Sequence, residues 1–385
     1  MITTLINPAQ YSSGQDALWH IATSDNSGQT DFKYVFDIFK GTEQLIRVKL
    51  FPEDNGKGYF DAGNVIKNEF TYEWFTPDNA GQMFLNDIDN KITYNIRVGE
   101  DFSGITTLNM ASGDTEVYNF TPPLFKRRQI DISSKQYKWL TNRPLKLKAG
   151  YNDKILIPYY LNSGSNISMQ YILYQGNTIY DQDSGIYIGN STKEFSQIDI
   201  GVQAINETAG FIIDDSITSY RLRFYNVNDG EYSEWITVNI VCEPRYTPIN
   251  LYFINQWGMF DTARFGLASR LTMNTERKTF QKREYSFGSS SVDYQTNGIY
   301  NESKINYGSK SNWTYKLTMD YPTDEEYEWL SELIVSPQIY AEIEGDYYPV
   351  TLTATNHEYS KYQNNKLRVF EVEIELNQTR NGFRR

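Results

Sequence analysis

A period of two runs through this sequence and constrains its fold more than any other feature. Near the C-terminus Phe370, Val372, Ile374 and Leu376 alternate with Glu371, Glu373 and Glu375. Successive side chains of an extended strand point to opposite faces, so this run buries one face and wets the other. The pattern recurs upstream. Tyr34, Phe36 and Ile38 alternate with Lys33, Val35 and Asp37. Beyond Lys40-Gly41-Thr42, Ile46, Val48 and Leu50 alternate with Arg47 and Lys49. Two such runs around a short glycine-containing loop predict a β-hairpin. Ile92 to Val98, Ile167 to Leu173, Tyr220 to Phe224, Ile249 to Phe253 and Tyr315 to Met319 repeat the signal. Composition agrees: 31 Tyr, 21 Phe and 7 Trp are residues that fit a pleated, half-buried surface. The chain is expected to be mainly β.

A length of 385 residues accommodates two or three domains. Proline cannot donate to a sheet ladder, so Pro122-Pro123 and the Pro244 to Pro248 stretch read as boundaries. Three antiparallel β-sandwich or barrel-like domains are therefore expected: 1–122, 123–246 and 247–385. The middle one has the strand spacing and length of an immunoglobulin or fibronectin sandwich. The Asp61 to Phe70 stretch reads as one short helix or an irregular crossover. The third domain holds the clearest helix, over 324–335. Thr323 and Glu326 form a capping box, Asp324 and Glu325 favour the positive end of the helix dipole, and Ser336-Pro337 stops it. Residues 287–312, rich in Tyr, Ser and Gly, predict a long exposed hairpin or a loop ordered by a partner.

The net charge of −12 argues against a general nucleic-acid binder and against an anionic membrane surface. No run approaches the roughly 18 apolar residues of a membrane span. The stretch Met1 to Pro8 lacks the basic and apolar segments of a secretory signal, so release with a particle on lysis is the expected route out of a cell. One cysteine, Cys242, excludes an internal disulfide, and two histidines leave little for a zinc site.

Motifs for chemistry are sparse, and no cofactor, metal or catalytic residue is expected. There is no nucleophile elbow, and Gly56-Lys57-Gly58 reads as a turn. Asp181-Gln182-Asp183-Ser184-Gly185 resembles half a calcium loop, but its twelfth position is Thr192, not Glu, which favours a polar turn. Glu371, Glu373 and Glu375 form either a solvated strand face or a face for a basic partner. Lys126-Arg127-Arg128 is either a linker or a dock for an acidic neighbour. Tyr285, Tyr294, Tyr300 and Tyr307 lie in a polar segment with little core of its own. Tyrosine offers contact area with a polar tip, so interface and ordinary loop packing both fit this group.

Several segments resemble tail-associated virion proteins of phages infecting Bacteroidetes, including the crAss-like group. In the first region these are Phe32-Lys33-Tyr34-Val35-Phe36-Asp37-Ile38-Phe39 and Gly58-Tyr59-Phe60-Asp61. In the third they are Tyr252 to Asp261, Glu328 to Leu333 and Ser336 to Tyr340. The resemblance implies a structural, non-enzymatic component of the tail hub, collar or baseplate. It would be made in the host cytoplasm and assembled as a ring with copies of itself and other tail proteins. A glycan- or receptor-binding tail module is the alternative, with host glycan as partner. A polysaccharide hydrolase is the third reading, and it needs a carboxylate pair across a groove.

Overall fold

The alternating runs become strands. A computed structural model describes residues 1–72, 83–88, 90–121, 132–161, 166–190, 194–208, 212–227, 230–241, 246–282, 285–287, 289–294, 304–353, 369–377 and 380–381. Strands dominate, with only short helices. Among the described residues no sheet closes into a barrel. Most strand pairs are antiparallel, as expected. Parallel pairings occur as well, between Thr115–Tyr118 and Ser12–Ser13 and between Lys146–Ala149 and Ile236–Ile240.

The chain divides into two compact units rather than three. One comprises Met1–Glu243 with Phe253–Thr262, the other Pro244–Tyr252 with Ala263–Arg385. The boundary expected near residue 246 lies close to the division at Glu243. The one expected at Pro122-Pro123 falls inside the first unit. The reason is a shared layer: Phe84–Ile88 pairs with Phe195–Asp199, which pairs with Leu156–Tyr160.

Within the first unit, a six-stranded sheet is built around Lys33–Lys40 and Lys91–Phe102, and a three-stranded sheet contains Ile2–Ile6, Trp19–Ser24 and Gly58–Asp61. Tyr34, Phe36, Ile38, Tyr94, Ile96 and Phe60 are buried in their common core. Asp61 to Phe70 is a single turn of α-helix, Gly63–Ile66, continued by the 3-10 turn Lys67–Glu69. A five-stranded sheet, Lys146–Ala149, Ile236–Ile240, Ser219–Asn226, Asn166–Gln175 and Thr178–Asn190, buries Met169, Leu222 and Phe224 in a second core. A third cluster joins the two: Tyr118, Phe120, Leu140, Tyr160, Phe195, Trp257 and Met259. Lys91 pairs with both Glu116 and Glu194, and the Tyr118 hydroxyl donates to Glu194, which fastens the same junction.

The second unit is built on a sheet in which Ile339–Ile343, Asp346–Leu352, Glu371–Leu376, Lys304–Thr318 and Arg270–Gln281 are hydrogen-bonded in that order, with Arg380–Asn381 also on Lys304–Thr318. The expected helix is present as two short pieces, Asp324–Trp329 and Ser331–Val335, meeting at the buried Leu330. Its capping box is formed: Glu326 N–H donates to Thr323 Oγ1 and Thr323 N–H to Glu326 Oε2. Of the 287–312 stretch, expected as a long exposed hairpin or a loop, residues 304–312 are strand paired with Arg270–Gln281, and Tyr285–Phe287 pairs with Val292–Tyr294 between them in sequence; residues 288 and 295–303 lie outside the described residues. Glycine and serine do not prevent extension there, because the partner strand supplies the ladder.

Candidate interaction surfaces

The strand Arg270–Gln281 is exposed at all twelve positions and, among the described residues, forms one edge of its sheet. Its partner, Lys304–Thr318, is mostly exposed or half-buried. Together they form an arm with two dissimilar faces. Leu271 lies opposite Tyr315, and Met273 opposite Trp313. Tyr315 lies in turn opposite Ile374, and Leu317 opposite Val372. Residues directly opposite share a face, as do residues two apart on one strand. The buried face of Leu317, Val372 and Ile374 thus continues outward as Tyr315, Trp313, Leu271 and Met273, of which Met273 is 54% exposed. Further out, the rings of Phe280 and Tyr307 lie 6.1 Å apart, both on the surface. The other face is polar. Lys316 pairs with Glu371 at 2.6 Å, Asn312 donates to Glu375, and Asn274 donates to Thr314.

The three glutamates singled out in sequence are therefore brought together on one strand. Glu371 and Glu373 are exposed and Glu375 is half-buried. The Lys316 ammonium, followed by its charge and by the Thr318 hydroxyl, holds the Glu371 carboxyl below the usual range. With Glu371 on Lys316 and Glu375 on Asn312, two of the three carboxylates are engaged within the sheet. Tyr307 is on the arm. Tyr285 and Tyr294 are register partners in the small hairpin. Tyr300, Arg127, Arg128, Cys242 and His357 lie outside the described residues.

A second surface is the outer face of the five-stranded sheet. Tyr220, Leu222, Phe224 and Asn226 point inward, so Arg221, Arg223 and Tyr225 point out. Arg221 and Arg223 lie 5.2 and 4.7 Å from the Trp235 ring, and Arg223 lies 4.2 Å from Tyr232. Tyr232 in turn packs on Tyr225 at 5.2 Å. Arg223 also donates to Gln170 Oε1. This ladder borders an open groove of about 340 Å³ lined by Gln170, Tyr171, Ile172, Gln182, Asp183 and Trp235. Burial pushes the Tyr171 hydroxyl pKa up, and its hydrogen bond to Asp181 adds to the effect. The half-calcium motif at Asp181 is not a turn: it lies inside the strand Thr178–Asn190, where side chains alternate and cannot wrap one ion. Among the described residues no group of three or more His, Cys, Asp or Glu side chains is placed to hold a metal ion. No helix among them is long and apolar enough to cross a membrane.

Neither surface was singled out from sequence as a whole. The outward Arg221 and Arg223 were legible from alternation, but Trp235 reaches them through the pairing of Ser219–Asn226 with Ile236–Ile240. The arm's signal was its run of lysines and arginines in an acidic chain. No protein-family model matches the chain, and no curated protein matches it.

Proposed function

We propose that this chain is a structural component of a phage tail, at hub, collar or baseplate level, acting through contacts with copies of itself and with neighbouring virion proteins. The observation that carries this reading is the edge strand Arg270–Gln281, exposed along its whole length. A sheet edge offers a row of backbone donors and acceptors to which a strand of a partner can add. The apolar Leu271 and Met273 beside it add contact area of the kind that interfaces bury. The segments resembling tail proteins of Bacteroidetes phages supply the biological setting, a tail assembled in the host cytoplasm.

The test has two arms. Mass spectrometry of purified particles should find the chain among tail proteins, and native mass measurement should find a closed oligomer. Absence from particles together with a monomeric native mass would overturn the proposal.

A second reading is favoured by one observation. The groove beside Trp235 pairs an aromatic face with amide and carboxylate side chains, a combination that suits a sugar. A glycan array with the wild type and Trp235→Ala separates the readings: array binding lost with the ring would make this a glycan-binding tail module.

A further inference from the structure

Charge is segregated within the second unit. The two arm strands carry six basic side chains, Arg270, Arg277, Lys278, Lys304, Lys310 and Lys316, against one acidic, Glu276. The next segment, residues 319–348, carries nine acidic residues and no basic one. In that segment Asp324, Glu325 and Glu328 on the capped helix are exposed, as are Glu344 and Asp346 at a hairpin turn. Beside those helix acids, Val335 is 75% exposed.

Arg277 is six residues along the strand from Leu271, the register partner of Tyr315 at the base of the arm. At roughly 3.3 Å per residue that is about 20 Å, well beyond the Debye length of about 8 Å at physiological salt. Among the described residues, Arg277, Lys278, Lys304 and Lys310 form no ion pair, while Lys316 at the base does.

We infer that the basic arm of one copy docks on the acidic helix, Asp324–Val335, of a second copy, head to tail. Charge complementarity selects the partner. In a chain of net charge −12 the arm is strongly basic, and an acidic complement lies in the same unit. Leu271 and Met273 lie on the same face as Arg277 and are exposed, as is Val335 at the end of the acidic helix, so apolar contact can accompany the charge pairing. A face binding a different face of an identical chain is a heterologous contact, which closes into a ring when the rotation permits. The inference deepens the proposed function but stands on the charge map. A chain held in a virion by other surfaces would fail the following test without failing the virion assignment.

The test is sedimentation of the full chain at low and high salt. Three variants join the wild type: Arg277→Glu/Lys278→Glu, Glu325→Lys/Glu328→Lys, and the chain carrying all four changes. These positions are exposed, so circular dichroism should show unchanged folding. Wild type should self-associate at low salt and dissociate at high salt. Each double variant alone should weaken association at least about tenfold, since like charges are then opposed. Mixing the two should restore assembly with both variants incorporated in equal numbers, and the fourfold variant should regain self-association. A wild type that stays monomeric at low salt overturns the inference, as does an arm variant that associates normally. Monomers whose arm reversal abolishes binding to a DNA oligonucleotide would overturn it in favour of nucleic acid.

Discussion

His20 Nε2 lies 3.0 Å from the Tyr94 hydroxyl, in a position where His20 has no exposure to solvent. Its Nδ1 lies 2.9 Å from Asn7 Oδ1. A neutral imidazole satisfies both contacts, with Nδ1–H donating to Asn7 and Nε2 accepting from Tyr94. Burial lowers the His20 pKa from 6.5 to about 4. Between those values the unfolded chain binds a proton that the folded chain refuses, so stability falls as pH drops through that window. The full effect is about 3 kcal/mol, reached near pH 4 and absent above pH 7. Urea midpoints measured from pH 7 to 4 should decline in the wild type. His20→Gln should be less stable at pH 7 but decline less steeply. Parallel slopes would assign the acid sensitivity to other groups.

Gly258 closes the turn between Asn255 and Asp261. Its φ is +73°, and a Cβ there would come within 2.0 Å of the Asn119 carbonyl oxygen. Asn255 organises the rest: its side-chain oxygen accepts from Trp257 and Met259 N–H, and its amide donates to Leu140 O. Gly258→Ala would therefore meet both a strained dihedral and a backbone clash, costing more than about 2 kcal/mol. Chemical denaturation of the first unit should show the loss. A neutral substitution would mean that the turn relaxes elsewhere.

The alternation of Tyr34, Phe36 and Ile38, and of Val372 and Ile374, identified strands and their buried faces, because period two is a local property. The Thr323 capping box was legible for the same reason. Pairings between distant segments were not. Nothing local says that Phe84–Ile88 lies beside Phe195–Asp199, so a proline pair inside one unit read as a boundary between two. The arm was obscured by composition: Gly308, Ser309 and Ser311 suggest a loop, yet each sits in a ladder imposed by the facing strand. Of the candidate contact residues, Tyr307 and the three glutamates were singled out by residue type and lie on the arm and on the strand beside it. Trp235 was missed because only tertiary pairing sets it over Arg221 and Arg223.

Phe195 tests whether the first two regions act as one folding unit. It is fully buried, stacked on Tyr160 at 4.8 Å and edge-on to Tyr118 at 5.5 Å. Tyr118 belongs to the first six-stranded sheet and Tyr160 to the layer beyond it. Phe195→Ala should cost about 3–5 kcal/mol. Hydrogen exchange should show amides of Lys91–Phe102 and Asn166–Gln175 losing protection together. Loss confined to the second group would separate the regions.

The capped helix carries exposed acids of the second unit, Asp324, Glu325 and Glu328, so its stability bears on the inferred contact. Thr323→Ala leaves the Glu326 N–H without its acceptor and should cost about 1 kcal/mol, while Thr323→Ser should retain most of it. Denaturant midpoints of the three proteins at neutral pH measure this. Equal midpoints for Ala and wild type would mean that packing of Trp329 and Leu333, both buried, holds the helix without its cap.

Trp235 distinguishes a structural role for the arginine–aromatic ladder from a recognition role. Its ring is the shared neighbour of Arg221 and Arg223, and partly exposed cation–π contacts are worth about 0.5–1 kcal/mol each. Trp235→Ala should therefore lower stability by about 1–2 kcal/mol, with Trp235→Phe losing less because a face remains for the guanidinium groups. If the groove serves only the fold, self-association measured by sedimentation should be unchanged in both variants. A stability loss with unchanged assembly places the ladder in the structural framework and leaves the basic arm as the assembly surface. Assembly lost with Trp235→Ala but kept with Trp235→Phe would instead place the aromatic face in the contact itself.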